Sequence, residues 1–205
     1  MGSKKIVMTG LPKLIRRDLL FQSAVHWAEE GFKVLFLKKS KFETIPSTGH
    51  GPQIPSSEVL SKIRIMYLES MEEALKCILD VLTFRDTAPR VILVEELEEY
   101  LSEDIRERDH QLAQICATLC FVAESCATYY NLTTYLLVGL ALPEDKIPPV
   151  ILTMFNCVWT FNSETCLLSK ALPLDDMPRV QLSLGPRSDD GAFVLKAVNN
   201  LFAGD

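Results

Sequence analysis

The chain is short of basic charge: 21 Lys and Arg stand against 27 Asp and Glu, a formal net charge of −6, so coating nucleic acid by bulk electrostatics is not expected of it. It also lacks a long apolar run. The longest stretches, 132–142 and 150–161, fall short of the ~20 residues a bilayer requires and are interrupted by Thr, Gly or Asn; no transmembrane helix and no membrane partner are expected. Met1-Gly2-Ser3-Lys4-Lys5 does not lead into an apolar stretch with a small-residue cleavage site, so export is not expected, and the six cysteines are expected to be thiols. Only three histidines occur, His26, His50 and His110, with no C-x-x-C pair and no H-x-x-x-H spacing. Cys116 and Cys120 share a helical face, but a four-ligand zinc site needs a second pair; Cys116, Cys120 and Cys126 therefore read as structural thiols, with no metal. G-x-S-x-G and G-x-G-x-x-G are both absent, which removes the serine nucleophile elbow and the dinucleotide fingerprint.

What is there is the composition of a folded domain. Apolar residues make up 48% of the 205 positions and charged residues 23%, enough for a single buried core. Charge is distributed unevenly. Residues 1–67 carry 11 Lys/Arg against 5 Asp/Glu, whereas 68–109 carry 5 against 13. An anionic partner should meet the N-terminal third.

Lys5–Thr9 is a short apolar run closed by Gly10-Leu11-Pro12; helical spacing then begins near Arg17 and lasts until Gly31, and Lys33–Leu37 is a second run. That rhythm is a βαβ unit with buried parallel strands. Residues 40–57 hold Pro, Gly, Ser and Thr without periodicity and read as one long loop. Ile63–Tyr67 alternates as a strand does, and Ser70–Leu82 opens on a Ser70-x-x-Glu73 capping box. Val91–Val94 reads as a central parallel strand, 107–130 as a helix and 134–140 as a further strand. Beyond Pro149 the texture becomes short strands, 157–161, 165–168, 180–184 and 193–198, separated by turns such as Asn162-Ser163 and Asp189-Asp190-Gly191. The expectation is an α/β fold in one domain, 1–205: a mainly parallel core over 1–149 flanked by helices, and over 150–205 a β-rich antiparallel extension of the same sheet.

The turn after the first strand is where a phosphate-binding loop would sit. On the G-x-x-x-x-G-K-[ST] template Gly10 fits, but Ile15 replaces the second glycine, Arg16 the lysine and Arg17 the magnesium-binding hydroxyl. A guanidinium cannot ligate magnesium. The same stretch reads as an ordinary strand-to-helix turn with solvated arginines. Glu95 follows the strand 91–94, where a carboxylate could act on magnesium; Glu95 and Glu96 read equally as acids that favour a helix start. Lys38, Lys39 and Lys41, beside Phe42, form a basic cluster with an aromatic neighbour, suited to single-stranded nucleic acid, or simply a solvated strand end.

Several strings together resemble a known family: Leu19-Leu20-Phe21, Val34-Leu35-Phe36-Leu37, Ile45-Pro46-Ser47-Thr48-Gly49, Leu60-x-Lys62-Ile63-Arg64-x-x-Tyr67, and Leu97-Glu98-Glu99-Tyr100-Leu101-x-Glu103-Asp104. Over residues 1–105 the chain is similar to the small RecA-like recombinase paralogue of the metazoan Shu complex, the partner of a SWIM-domain zinc protein. The resemblance implies a RecA-like, P-loop-type core. It also implies a nuclear role in homologous recombination and double-strand break repair, within a heterodimer that binds single-stranded DNA and protects filaments of a RecA-type recombinase. The family pattern has an intact G-x-x-x-x-G-K-T and an aspartate after the central apolar strand. This chain has Ile15, Arg16, Arg17 and Glu95 there, so the expectation is a pseudo-ATPase with no catalytic residue and no ATP or magnesium cofactor. Two alternatives stand beside it: a divergent, DNA-stimulated ATPase in which Arg16 replaces the lysine, and a RecA-like assembly subunit of an Elongator-type ring.

Overall fold

The computed structural model describes residues 2–44, 46, 55–83, 88–142, 147–162, 164–170, 179–186 and 193–201, with side chains as far as Ser169. His50, most of the Ile45–Gly49 string and the Asp189-Asp190-Gly191 turn lie outside the described residues.

The opening strand β1 (Ser3–Thr9) ends at Gly10, and helix α1 (Lys13–Glu29) begins only three residues later. The helix starts four residues ahead of the position its apolar spacing suggests. In this turn Gly10 alone supplies a positive φ, 75°; Pro12, at φ −53°, presets the entry, and Arg16 N–H already donates to the Pro12 carbonyl. With no second glycine to widen the turn, helical geometry sets in at once. Then follow β2 (Val34–Lys38), a short helix α2 (Ser57–Ser61) at the end of the expected long loop, and β3 (Ile63–Tyr67). Helix α3 (Met71–Asp80) is capped by the Ser70 hydroxyl accepting from Glu73 N–H, while the Glu73 carboxylate accepts from Glu69 N–H, one residue earlier than a strict capping box places it. Strand β4 (Val91–Val94), helix α4 (Ile105–Tyr130) and strand β5 (Thr134–Leu140) complete the first half.

The chain then departs from the expected antiparallel extension over 150–205. Pro149–Met154 is a helix, α5, with proline in its first turn. Strand β6 (Cys157–Asn162) pairs parallel with β1, and only β7 (Leu167–Lys170), β8 (Arg179–Pro186) and β9 (Phe193–Leu201) add antiparallel. Among the described residues the nine strands make one sheet, ordered β3-β2-β4-β5-β1-β6-β7-β8-β9.

Successive strand residues face opposite sides, and each side has its own core. Met8, Val34, Phe36, Val91 and Leu93 pack under Ile15, Leu20, Phe21, Ala24 and Val25 of α1. Val7, Leu35, Ile92, Val94, Leu136 and Val138 pack under α3, α4 and α5. Helix α4 is long and apolar enough to cross a bilayer by length and composition alone, yet it lays Leu112, Ile115, Leu119, Val122 and Cys126 on the sheet. Burial raises the Cys116 thiol to about 12 and pushes up Cys126 as well; the Cys120 thiol points at the Met154 carbonyl, 3.6 Å away. These cysteines join α4 to its surroundings.

Candidate functional site

In a parallel sheet flanked by helices, ligands meet the crevice beyond the carboxyl ends of the strands. Here that edge collects Gly10 after β1, Lys38 at the end of β2, Glu95 and Glu96 after β4, and Ala141 after β5. The sheet order sets β5 between β1 and β4, which puts the two candidate nucleotide motifs two strand spacings apart, about 10 Å.

Gly10 does not face an open loop. A Cβ there would lie 2.9 Å from the Phe161 carbonyl oxygen of β6, so glycine is required by the close approach of two strands as well as by its φ. Ile15 is buried in the α1 core. Arg16 turns inward: it is 1% exposed, its stem runs over Gly139 of β5, and its Nη2 donates to Glu98 Oε1 at 2.5 Å. The other oxygen of Glu98 accepts from Ala141 N–H at 3.1 Å. A carboxylate is thus held by a buried guanidinium and a backbone amide at the strand ends, as a phosphate would be. Arg17 lies along the helix against Asp18.

The remaining charges pair across the same edge. Lys13 Nζ lies 2.9 Å from Glu96 and 3.1 Å from Glu99, and these partners raise its pKa. Glu96 is buried and left-handed, φ 61°, with its carboxylate accepting from the Ser40 hydroxyl and amide. Burial alone would push this carboxyl up; the Ser40 hydrogen bonds, Lys13 and Lys38 outweigh it and hold it at about 2. Glu95 is fully buried beside Lys38, Oε2 to Nζ 3.3 Å. Desolvation raises its pKa against the pull of Lys38.

The sequence-chosen basic cluster divides. Lys38 is buried, 3% exposed, between Glu95 and the Phe42 ring, 4.0 Å from the ring centroid. Lys39 donates to the Glu99 carbonyl and lies over Tyr100; Lys41 is exposed. The structure thus joins Glu95 and Lys38 to Lys13, Glu96 and Glu99 in one set of ion pairs, holds Arg16 in a separate pair with Glu98 that acts on Glu95 only through longer-range attraction, sets Gly10 and Ile15 in packing roles, and leaves Arg17 and Lys41 outside. Sequence reasoning missed Lys13, Glu98 and Gly139. The signal for the last was an isolated glycine inside a strand, which marks a close approach.

This is a RecA-like, P-loop-type ATPase fold whose strand-end edge carries a set of internal ion pairs, within which Arg16 Nε and Nη1 are buried without a hydrogen-bond partner among the described residues. Solved structures agree on the fold: a DnaB-like replicative helicase aligns over 95% of this chain and 59% of its own, with TM-score 0.58 and 11% identity. A second solved structure, of an ATPase domain, aligns over 96% of this chain and 85% of its own, with TM-score 0.57 and 11% identity. No family model matches the chain. In sequence the chain is similar to the mouse protein named ATPase SWSAP1, 30% identical over 100 residues, and to its human counterpart, 33% identical over 100 residues. The match spans 48% of this chain and 35% and 43% of those relatives, less than half the length of the curated proteins it matches.

Proposed function

We propose that the chain is a RecA-like subunit of a homologous-recombination assembly whose work is docking rather than ATP turnover. In this reading it pairs with a SWIM-domain zinc protein in the nucleus, contributes to single-stranded DNA binding, and stabilises filaments of a RecA-type recombinase during double-strand break repair. The similarity to ATPase SWSAP1 supports the setting. One observation carries the loss of turnover: Glu98, gripped by Arg16 and the Ala141 amide, fills the strand-end position with an internal carboxylate. The groups that would neutralise a triphosphate are already neutralised by Glu95, Glu96, Glu98 and Glu99. ATP and magnesium fit poorly here: the P-loop lysine position holds Arg16, whose Nη2 is taken by Glu98 while its buried Nε and Nη1 have no hydrogen-bond partner among the described residues, and the hydroxyl position holds Arg17, a guanidinium that cannot ligate magnesium and lies against Asp18.

An assembly role also accords with the outer face of α4 and the turn that follows α3, where Leu82, Phe121 and Tyr129 are exposed around a cleft of about 490 Å³. Exposed apolar surface of this kind favours association. The test is co-expression with a SWIM-domain zinc protein. The account expects co-purification and a melting temperature that rises with partner concentration. A stable, inert monomer, or capture into a hexameric ring instead, would overturn the reading.

A further inference from the structure

A helix at the surface of a folded domain carries its charges on the side away from the core. Helix α4 does so only in its first turns, where Arg106, Glu107 and Asp109 are exposed. From Gln111 to Tyr130 the one charged residue is Glu124, and half of the helix's most apolar stretch lies outside the core. The exposed sides of α1 and α3, by contrast, hold Lys13, Glu29, Glu72, Lys76 and Asp80.

The outer side of α4 also has the spacing of a packing seam. Gln114, Thr118, Phe121, Ser125 and Thr128 recur every three or four residues and are exposed or half-buried, as along helices that pack lengthwise. Phe121 is 58% and Tyr129 69% exposed, and both line the cleft of about 490 Å³. A projecting ring and a hollow on one face are what a two-fold contact needs, because each copy must supply both. If two such helices run antiparallel about a point between Phe121 and Ser125, Phe121 of each copy lies over Ser125 of the other and Tyr129 lies beside Thr118. The charged first turns then project past the end of the other helix. Thr118 already donates its hydroxyl to the Gln114 carbonyl at 2.8 Å, so covering it leaves no donor unpaired.

Charge selects the occupant. The chain carries a net −6, so two copies repel across most approaches and a basic partner is drawn to the acidic segments instead. The seam of α4 opposes no ionised group to its own copy; Glu124 lies at its flank and accepts from the Ser3 hydroxyl.

We infer that the outer face of α4, centred on Phe121 and Ser125, is covered by the same face of a second copy of this chain, the two helices lying antiparallel. The inference names the occupant of the apolar face described above and stands apart from the pairing with a SWIM-domain protein. The seam from Gln114 to Thr128 is about 21 Å long, which sets the contact at the low end of specific interfaces and the dissociation constant in the micromolar range.

The experiment is sedimentation equilibrium of the full 205-residue chain from about 1 to 200 μM, repeated with the SWIM-domain protein added. Wild type should pass from monomer to dimer, and the dimer should tighten about threefold or more between low and high salt as repulsion between the acidic copies is screened. Phe121→Lys should remain monomeric throughout with an unchanged melting temperature at low concentration, since its side chain is exposed. The register has its own test: on oxidation, a mixture of Phe121→Cys and Ser125→Cys should form a disulfide between copies, mapped by peptide mass, at least about tenfold faster than either variant alone. A wild type that stays monomeric to the highest concentration overturns the inference, as does a dimer that Phe121→Lys leaves intact. If wild type alone is monomeric and Phe121→Lys abolishes capture by the SWIM-domain protein, that protein covers the face; the inference fails and the proposed function stands. If the dimer forms and the SWIM-domain protein is not bound, the inference holds and the proposed function fails.

Discussion

Arg16 Nη2 and Glu98 Oε1 lie 2.5 Å apart, with the arginine 1% and the glutamate 16% exposed. The pair joins the first helix to the segment after the central strand, across the carboxyl ends of the parallel strands. Breaking a buried pair from one side strands the other charge in the interior. Arg16→Ala or Glu98→Ala alone is expected to cost about 3–5 kcal/mol, and Arg16→Met/Glu98→Gln to recover most of it. Urea denaturation of the three variants checks this. A single variant as stable as wild type would mean that the network does not hold the edge closed.

Gly10 and Gly139 are both needed for space. A Cβ on Gly10 would sit 2.9 Å from the Phe161 carbonyl at φ 75°, and one on Gly139 would sit 2.7 Å from Arg16 Cδ. Gly10→Ala and Gly139→Ala are each expected to destabilise by about 1–3 kcal/mol. The Gly139→Ala cost should shrink in an Arg16→Ala background, whereas the Gly10→Ala cost should not. Thermal melts of the two double variants distinguish the cases.

Acid should act through Glu96. Its folded pKa is about 2 against an ordinary 4.5, so its contribution is fully present above about pH 4.5 and is lost as pH falls toward 2. Glu95, raised by burial, works in the opposite sense, its contribution falling as pH rises through its folded value. The difference between wild type and Glu96→Gln reports chiefly the first effect, with a smaller part from Glu95, which the Glu96 charge also pushes up. It should reach roughly 2–3 kcal/mol near neutrality and vanish toward pH 2. A flat difference across that window would contradict the assignment.

Lys38 and Lys41 should behave as different kinds of residue despite their neighbouring positions. Lys38→Glu places a third carboxylate beside Glu95 and Glu96 in a buried site, so a loss of several kcal/mol or failure to fold is expected. Lys41→Glu, at an exposed position, should change stability by no more than about 0.5 kcal/mol. Melting temperatures of the two purified variants decide it.

How much of this could be read from residues alone follows from the strength of each local signal. Val34–Leu37 and Val91–Val94 are unbroken apolar runs and Thr134–Leu140 is a largely apolar one, and they are the buried parallel strands. Helix α5 was hidden because Val150, Ile151 and Thr153 are β-branched and imitate a strand; Pro149 in its first turn was the counter-signal. The site was legible as a negative. Ile15, Arg16 and Arg17 announce that a triphosphate loop is missing, but not that α1 absorbs them or that Arg16 turns inward. Its partner Glu98 sits 82 residues away, and no periodicity reports a contact of that separation. The charge census of residues 1–67 likewise shows a basic excess without showing that Lys13, Arg16 and Lys38 are paired internally with acids of the following segment.

Isothermal titration of the purified chain with magnesium and ATP, alone and together with the proposed SWIM-domain partner, bears most directly on the claim that an internal carboxylate has replaced the nucleotide. The account predicts no saturable heat at concentrations up to about 100 μM. Saturable binding tighter than that, abolished by Arg16→Ala, would show that the strand-end crevice still holds triphosphate and would contradict it.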